Sequence, residues 1–314
     1  MREGYDGMQM DPSSSPLPGA PPWFGEALAN EPERSEISVA GASIELLTWG
    51  QRGRPGLLFL HGSAANADWW SFIAPFFAAD WRVAAISWSG MGRSDWRDSY
   101  SVDGYLEEAV AGAEAAGLFD AGQPPLIVAH SFGAMAAFRA AWQLGERLSG
   151  VMSIDATPLR PRSSFSADRS FLPAERPVFP LREAAQSRFR LAFSDQSADP
   201  SLRWHLAYHA VSQIGPDRWS WAHDLDHRNK LIRDHIPRVP EWISGATCPL
   251  AFVTGDRSAL VSDDDIAYTR SIAPPGTAFI KILDCGHHVM ADQPLALVTT
   301  IRALAARHFR RVVT

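Results

Sequence analysis

The sequence predicts an α/β fold: a mostly parallel central sheet with helices on both faces and an inserted helical lid. Three observations predict it. Short apolar runs of strand length recur at residues 57–60, 83–88, 126–129, 150–154, 249–254 and 278–283. Stretches with helical spacing fall between or after them, at 100–118, 263–272 and 295–309. Strands that alternate with helices form parallel sheets covered on both faces, because each crossover helix lies against the sheet. The third observation is a break in this rhythm between about residues 158 and 246, a stretch rich in Pro, Arg and Trp. It is too long for a structureless loop in a compact domain, so it reads as an insertion.

Taken in order, residues 1–36 form an N-terminal extension whose opening stretch has no apolar core of the kind a signal peptide carries. Two short alternating runs around Gly41, within residues 37–49, read as a hairpin. The run at 57–60 exits into His61-Gly62-Ser63, and the run at 83–88 leads into S-G-M-G-R-S at 89–94. The helical stretch at 100–118 ends near Gly117. The run at 126–129 leads into Ser131 and then a helix rich in Ala. Asp155 ends the run at 150–154, and Gly255-Asp256 ends the run at 249–254. The last strand is followed by Asp284-Cys285-Gly286-His287-His288, and an amphipathic helix over 295–309 closes the chain. These boundaries give a core of residues 37–157 and 247–314, with the lid at 158–246.

Of 314 residues, 46% are hydrophobic and 20% charged, enough apolar mass for one enzyme-sized core. The formal net charge of −6, with no long basic block, argues against a nucleic-acid partner. No run of 18 apolar residues occurs, so no membrane span is expected. Cys248 opens one strand and Cys285 closes another, which provides no disulfide framework; a reducing cytoplasm is the expected location.

The strongest functional signal is A-H-S-F-G at 129–133. It has the layout of a nucleophile elbow, G-x-S-x-G, with Ala in the first Gly position. The strand-to-helix turn is so tight that the residues two before and two after the Ser must be small. It presents Ser131 at the sheet edge and at a helix N-terminus, where free N–H groups and the helix dipole favour developing negative charge. An activated Ser needs a base within hydrogen-bond reach, and a carboxylate that orients the base. His287 stands in G-H-x-x-x-x-D-x-P, completed by Asp292 and Pro294. It is preferred as base over His288 because it directly follows the Gly, and one loop cannot aim both rings at one Ser. The orienting acid is expected to be Asp256, in T-G-D-R-S at its strand end, with Asp155 as the alternative. The backbone N–H groups of Ser63 and Phe132 are the expected oxyanion donors.

These segments together resemble the α/β-hydrolase fold superfamily over about residues 37–310. The resemblance rests on L-F-L-H-G-S at 58–63, S-G-M-G-R-S at 89–94, A-H-S-F-G at 129–133, V-T-G-D at 253–256 and G-H-H-V-M-A-D-Q-P at 286–294. The chain is similar to the esterase-like, lid-bearing members with a Ser nucleophile. That resemblance implies ester or related acyl hydrolysis through an acyl-enzyme on Ser131, with no cofactor. Two departures stand out. Ala129 replaces the first elbow Gly, a mild steric change. Ser258 occupies the position, three residues after Gly255, where such hydrolases often carry the acid, so Asp256 and Asp155 both stay open. Ser131 excludes the dehalogenases and epoxide hydrolases of this fold, which need an Asp at the elbow. The alternative within the fold is a cofactor-free oxygenase or lyase, in which His287 is a base paired with Asp155 and Ser131 only positions substrate. A non-catalytic ligand receptor is disfavoured by the intact set of Ser, His and Asp candidates.

The lid carries Trp204, Trp219, Trp221 and Trp242, with Phe165, Phe171, Phe179, Phe189 and Phe193. Most of these read as packing, yet an aromatic roof over a Ser favours an ester with an apolar or aromatic part. Trp69 and Trp70 would extend that wall. Arg160, Arg162, Arg188 and Arg190 read as solvated surface; one of them pointing inward would suit a carboxylate-bearing half-ester. His205 and His209 have the spacing of a helical metal pair, as do His223 and His227. No third ligand accompanies either pair, so they read as packing or surface histidines with no metal. The expected partner is a small-molecule ester.

Overall fold

The computed structural model describes residues 19–157, 175–193, 199–233 and 236–309. The chain enters through α1 (Pro22–Ala29) and the antiparallel pair β1 (Glu33–Val39) and β2 (Ala42–Trp49). Ala40 and Gly41 join the pair with φ of 46° and 79°, the positive values that a two-residue hairpin turn requires. There follow β3 (Gly56–Leu60), β4 (Arg82–Ile86), α2 (Val102–Ala115), β5 (Leu126–His130), α3 (Gly133–Leu144) and β6 (Gly150–Ile154). The next segment holds α4 (Arg182–Gln186), α5 (Pro200–His209), the hairpin of β7 (Val211–Gly215) and β8 (Arg218–Trp221), α6 (His227–Lys230) and α7 (Val239–Ser244). The chain closes with β9 (Leu250–Gly255), α8 (Asp263–Ile272), β10 (Ala278–Ile282), α9 (Val289–Asp292) and α10 (Pro294–Arg307).

Eight strands form one sheet in the order β1-β2-β4-β3-β5-β6-β9-β10. The pairings β1/β2 and β2/β4 are antiparallel, and every pairing from β4 to β10 is parallel. The inner strands are apolar on both faces. In β3, Leu57 and Phe59 enter one core while Leu58 and Leu60 enter the other; β5 divides Leu126 and Val128 from Ile127 and Ala129 in the same way. That is the period-two alternation of a sheet covered on both sides. One core is closed by Phe24 of α1 and by Leu297 and Ile301 of α10; the other is closed by Tyr105 of α2, Phe138 of α3 and Trp242 of α7. Helix starts follow local chemistry. Ser101 accepts the Gly104 N–H ahead of α2, and Ser262 forms a capping box with Asp265 ahead of α8.

Two boundaries and the make-up of one segment differ from the sequence reading. The extension placed at 1–36 is folded from Pro22 onward, because Phe24 is fully buried against Phe72 and β1 already pairs from Glu33. The segment between β6 and α7, expected to be helical, also holds the β7/β8 hairpin, whose strands of five and four residues are too short to stand out in the sequence. The chain rejoins the core before residue 247, since Val239, Trp242 and Ile243 of α7 are buried against the sheet's helices. Trp242 is therefore a core residue. Phe165, Phe171, Arg160 and Arg162 lie outside the described residues. No helix among the described residues is long and apolar enough to cross a membrane.

Candidate active site

The parallel strands β3, β5, β6, β9 and β10 end on one edge of the sheet, and the loops there gather the site, as open α/β sheets do. At the end of β5 the backbone of Ser131 takes φ 51°, a left-handed conformation that non-Gly residues seldom adopt. Its N–H donates to Ile154 O at 3.0 Å, so the neighbouring strand holds the turn. A Cβ on Gly133 would lie 2.6 Å from His61 O and 3.0 Å from Leu60 O, so only Gly lets the elbow close against the end of β3. Gly62 on the facing loop is constrained likewise: its Cβ would lie 2.9 Å from His130 Nδ1 and 3.1 Å from Ser131 Cβ. Ala is accommodated at 129 because that residue still belongs to β5 and packs in the core.

Ser131 Oγ lies 2.9 Å from His287 Nε2, and His287 Nδ1 lies 2.7 Å from Asp155 Oδ2. A carboxylate only accepts, so these partners place the proton on Nδ1 and leave the Nε2 lone pair for the Ser131 hydroxyl. Asp155 and His287 are buried, at 1% and 4% exposure. Asp155 follows β6 with φ 47° and is held from two further directions. Its Oδ1 accepts the Gly255 N–H at 3.1 Å, and its Oδ2 accepts the Ser258 hydroxyl at 2.6 Å. Ser258 Oγ accepts in turn from the N–H groups of Leu260 and Val261, at 3.2 and 3.0 Å.

The preference for Asp256 is corrected by this geometry. Asp256 is exposed, and its Oδ1 accepts the Cys285 N–H at 3.1 Å on the loop after β10. That bond holds its carboxyl below the usual carboxylate range. The carboxylate that meets His287 is Asp155. Ser258, which stands where the acid was sought by resemblance, meets Asp155 instead.

Three further histidines shape the site. His288 Nε2–H donates to Ala192 O at 2.7 Å, its ring packs 5.3 Å from Trp69, and burial pushes its imidazole down to about 3. His130 Nε2–H donates to His287 O at 3.0 Å; burial, then the neighbouring imidazoles, hold it well below its ordinary value. His61 Nδ1–H donates to Gly62 O at 2.7 Å, while Nε2 accepts the Trp88 N–H at 3.0 Å. Burial pushes His61 down to about 3, so it stays neutral and keeps both bonds. The roles of His61 and His130 have no sequence signal beyond adjacency to Gly62 and Ser131.

The expected oxyanion donors flank the elbow. Neither the Ser63 nor the Phe132 backbone N–H has a hydrogen-bond acceptor among the described residues. The Phe132 ring packs edge-on to Tyr105 and His227, at 5.5 and 5.4 Å, which fixes the start of α3.

As for metals, His130, His287 and His288 bring ligand-type nitrogens within 4.8 Å of one another. Both nitrogens of His287 are engaged by Ser131 and Asp155, so an ion there would displace the bond to Ser131. Of the histidines paired by spacing in the sequence, His205 and His209 lie on α5, His223 precedes α6, and three of the four side chains have protein partners. His205 Nε2 meets Ser71 Oγ at 2.8 Å, His209 Nδ1 meets Asp68 at 3.1 Å, and His227 Nε2 meets Tyr105 OH at 2.6 Å.

This sheet order, with a strained Ser elbow and a His–Asp pair at the strand ends, is the architecture of an α/β hydrolase. Residues 57–300 match the alpha/beta hydrolase family, and the chain belongs to it. It is 25% identical over 296 residues to the esterase Rv0045c of Mycobacterium tuberculosis, a match covering 89% of this chain and 92% of that relative. A solved structure of the mycobacterial esterase has a TM-score of 0.72 at 22% identity, covering 92% of this chain and 100% of the other. The thioesterase domain from the curacin biosynthetic pathway has a TM-score of 0.73 at 24% identity, covering 87% of this chain and 100% of the domain. These structural likenesses bear on the fold.

Proposed function

We propose that the chain is a serine carboxylesterase that cleaves an ester with an apolar or aromatic part through an acyl-enzyme on Ser131. The observation that carries this reading is the unbroken path from Ser131 Oγ through both nitrogens of His287 to Asp155, at 2.9 and 2.7 Å. Ser131 Oγ attacks the ester carbonyl carbon as its proton passes to His287 Nε2, and Asp155 stabilises the imidazolium. The N–H groups of Ser63 and Phe132 receive the oxyanion. The imidazolium returns the proton to the departing alkoxide, which leaves as the alcohol. Water then gives a proton to His287, attacks the acyl carbon and releases the carboxylic acid, and the proton returns to Ser131 Oγ. No cofactor enters these steps. The esterase name of the mycobacterial relative supports the same reaction class.

The segment between β6 and α7 serves as the lid in this reading. It is tied to the loops at the strand ends by His288 to Ala192 O, by Asn66 Nδ2 to His209 O at 2.7 Å and by the Gly92 N–H to Ala222 O at 2.7 Å. An apolar substrate is favoured over a half-ester. Arg188 and Arg190 are exposed, and Arg190 Nη1 donates to Ser187 O and Phe189 O of its own loop. Cys248 and Cys285 are free buried thiols, in keeping with a cytoplasmic setting.

A fluorophosphonate tests the mechanism. The adduct should map to Ser131, and Ser131→Ala should abolish both labelling and ester turnover. Labelling elsewhere, or undiminished turnover in Ser131→Ala, refutes it. Turnover of a non-ester substrate that survives Ser131→Ala would favour the cofactor-free oxygenase or lyase instead.

A further inference from the structure

We infer that Phe193 is the specificity-determining side chain of this site, an apolar platform for the substituent beside the scissile ester bond, and that His288 is the positioning residue that holds it there. The inference rests on the serine esterase reading. Three features of Phe193 converge. Its ring stands edge-on to the His287 ring, 6.0 Å between centroids and 89° between planes. It is 47% exposed, so much of its apolar surface is in water. Its backbone takes φ 57°, a left-handed conformation that disfavours any bulky residue. A half-exposed ring contributes little to folding, and the backbone strain works against it. Stability thus accounts for neither feature, while a place beside the general base does.

The strain is held by the two residues that precede Phe193. Leu191 is buried in the core, and Ala192 O accepts the His288 Nε2–H at 2.7 Å. His288 is itself clamped by burial and by the Trp69 ring. Burial pushes its imidazole down to about 3, so it remains a neutral single donor at working pH. The residue next to the base on the loop after β10 therefore connects the catalytic loop to the insertion. When an ester carbonyl lies against Ser131 Oγ, one of its substituents must pass beside His287. An aliphatic chain or aromatic ring there gains contact with Phe193, and a methyl group gains little.

The test compares kcat/KM for a hexanoate and an acetate of one alcohol, and for a benzyl and an ethyl ester of one acid. Phe193→Gly removes the ring and relieves the left-handed strain, so thermal stability should hold or rise. The selectivity for the larger member of at least one pair should fall about tenfold, mainly through KM. His288→Ala should lower the same ratio, and His288→Gln, which keeps an N–H donor, should restore most of it. An unchanged ratio in Phe193→Gly, or equal loss on every ester, overturns the role of Phe193. A ratio untouched by His288→Ala, or not recovered in His288→Gln, overturns the role of His288. Fluorophosphonate labelling of the unmodified protein separates the two levels. Absence of an adduct on Ser131 sinks the esterase reading itself, whereas labelling with an unchanged ratio sinks only this inference.

Discussion

Replacing Asp155 by Asn probes the site at its most constrained atom. Three donors converge on this carboxylate: His287 Nδ1–H and Ser258 Oγ–H on Oδ2, and the Gly255 N–H on Oδ1. An amide offers one oxygen and one NH2, so it has two orientations. With its oxygen toward His287, the NH2 faces the Gly255 N–H, and a buried donor is stranded at a cost of about 1–3 kcal/mol. With its NH2 toward His287, which then moves its proton to Nε2, the Ser258 hydroxyl loses its acceptor, and Ser258 Oγ has no lone pair left to accept because the Leu260 and Val261 N–H groups use both. Each orientation therefore breaks one contact, with the Gly255 N–H in the first and with the Ser258 hydroxyl in the second. In the second, Nε2 has no lone pair for the Ser131 proton. The orientation that keeps the correct tautomer still lacks the negative charge opposite the imidazolium. Together these effects should lower kcat/KM by about 10³ to 10⁴, the upper figure being the loss typical of this substitution in a serine-protease triad. The fold should survive, because one broken contact costs about 1–3 kcal/mol against the roughly 5–15 kcal/mol that stabilises a folded domain. Asp256→Asn should lie within about threefold of the parent, since an amide oxygen can still accept the Cys285 N–H and the group is exposed. Ester hydrolysis and thermal unfolding measured side by side on both variants settle the matter. Asp155→Asn within tenfold of the parent, or a larger loss in Asp256→Asn, would refute the reasoning.

Two further outcomes follow from the same network and its surroundings. Ser258→Ala removes the hydroxyl that helps hold Asp155 Oδ2 against His287 Nδ1–H, so kcat/KM should fall about threefold to thirtyfold, and Ser258→Thr, which keeps the hydroxyl, should lose less; an unchanged rate in the Ala variant contradicts this. Folding stability should fall on acidification. Burial pushes His61, His205 and His288 down to about 3, and His223 and His227 down to about 4, whereas the unfolded chain titrates near 6.5. Above pH 6.5 both states are neutral at these rings. As the pH falls toward 4, the unfolded chain takes up protons that the native state refuses, and each such ring lowers stability by about 1.4 kcal/mol per pH unit. Urea unfolding at pH 7 and pH 5 checks this, and equal stability at the two values would count against it.

Much of this protein was determined by local sequence. The apolar runs that became β3, β5, β6 and β9 carry their strand identity in four to six consecutive residues, and α8 runs over the residues 263–272 that its spacing predicts. The elbow was legible because the steric demands on Ala129, Ser131 and Gly133 fall within five consecutive positions. His287 was legible because a Gly and a strand end precede it. The orienting acid was not. Asp155 and Asp256 both end parallel strands, and β6 and β9 are direct neighbours in the sheet. Nothing local tells which carboxylate turns toward Nδ1; that depends on the left-handed backbone at Asp155 and on the Cys285 N–H, 29 residues downstream, that engages Asp256. The same limit applies to Phe24, to α7 and to Phe193. A surface-like lead, a stretch of insertion and one aromatic among many acquire their roles only from what they meet across the fold. Periodicity and tight turns are properties of adjacent residues, so the sequence carries them by itself. Which carboxylate reaches the imidazole and which ring stands beside it depend on contacts between residues 29 to 132 positions apart, and only the packed tertiary structure sets those.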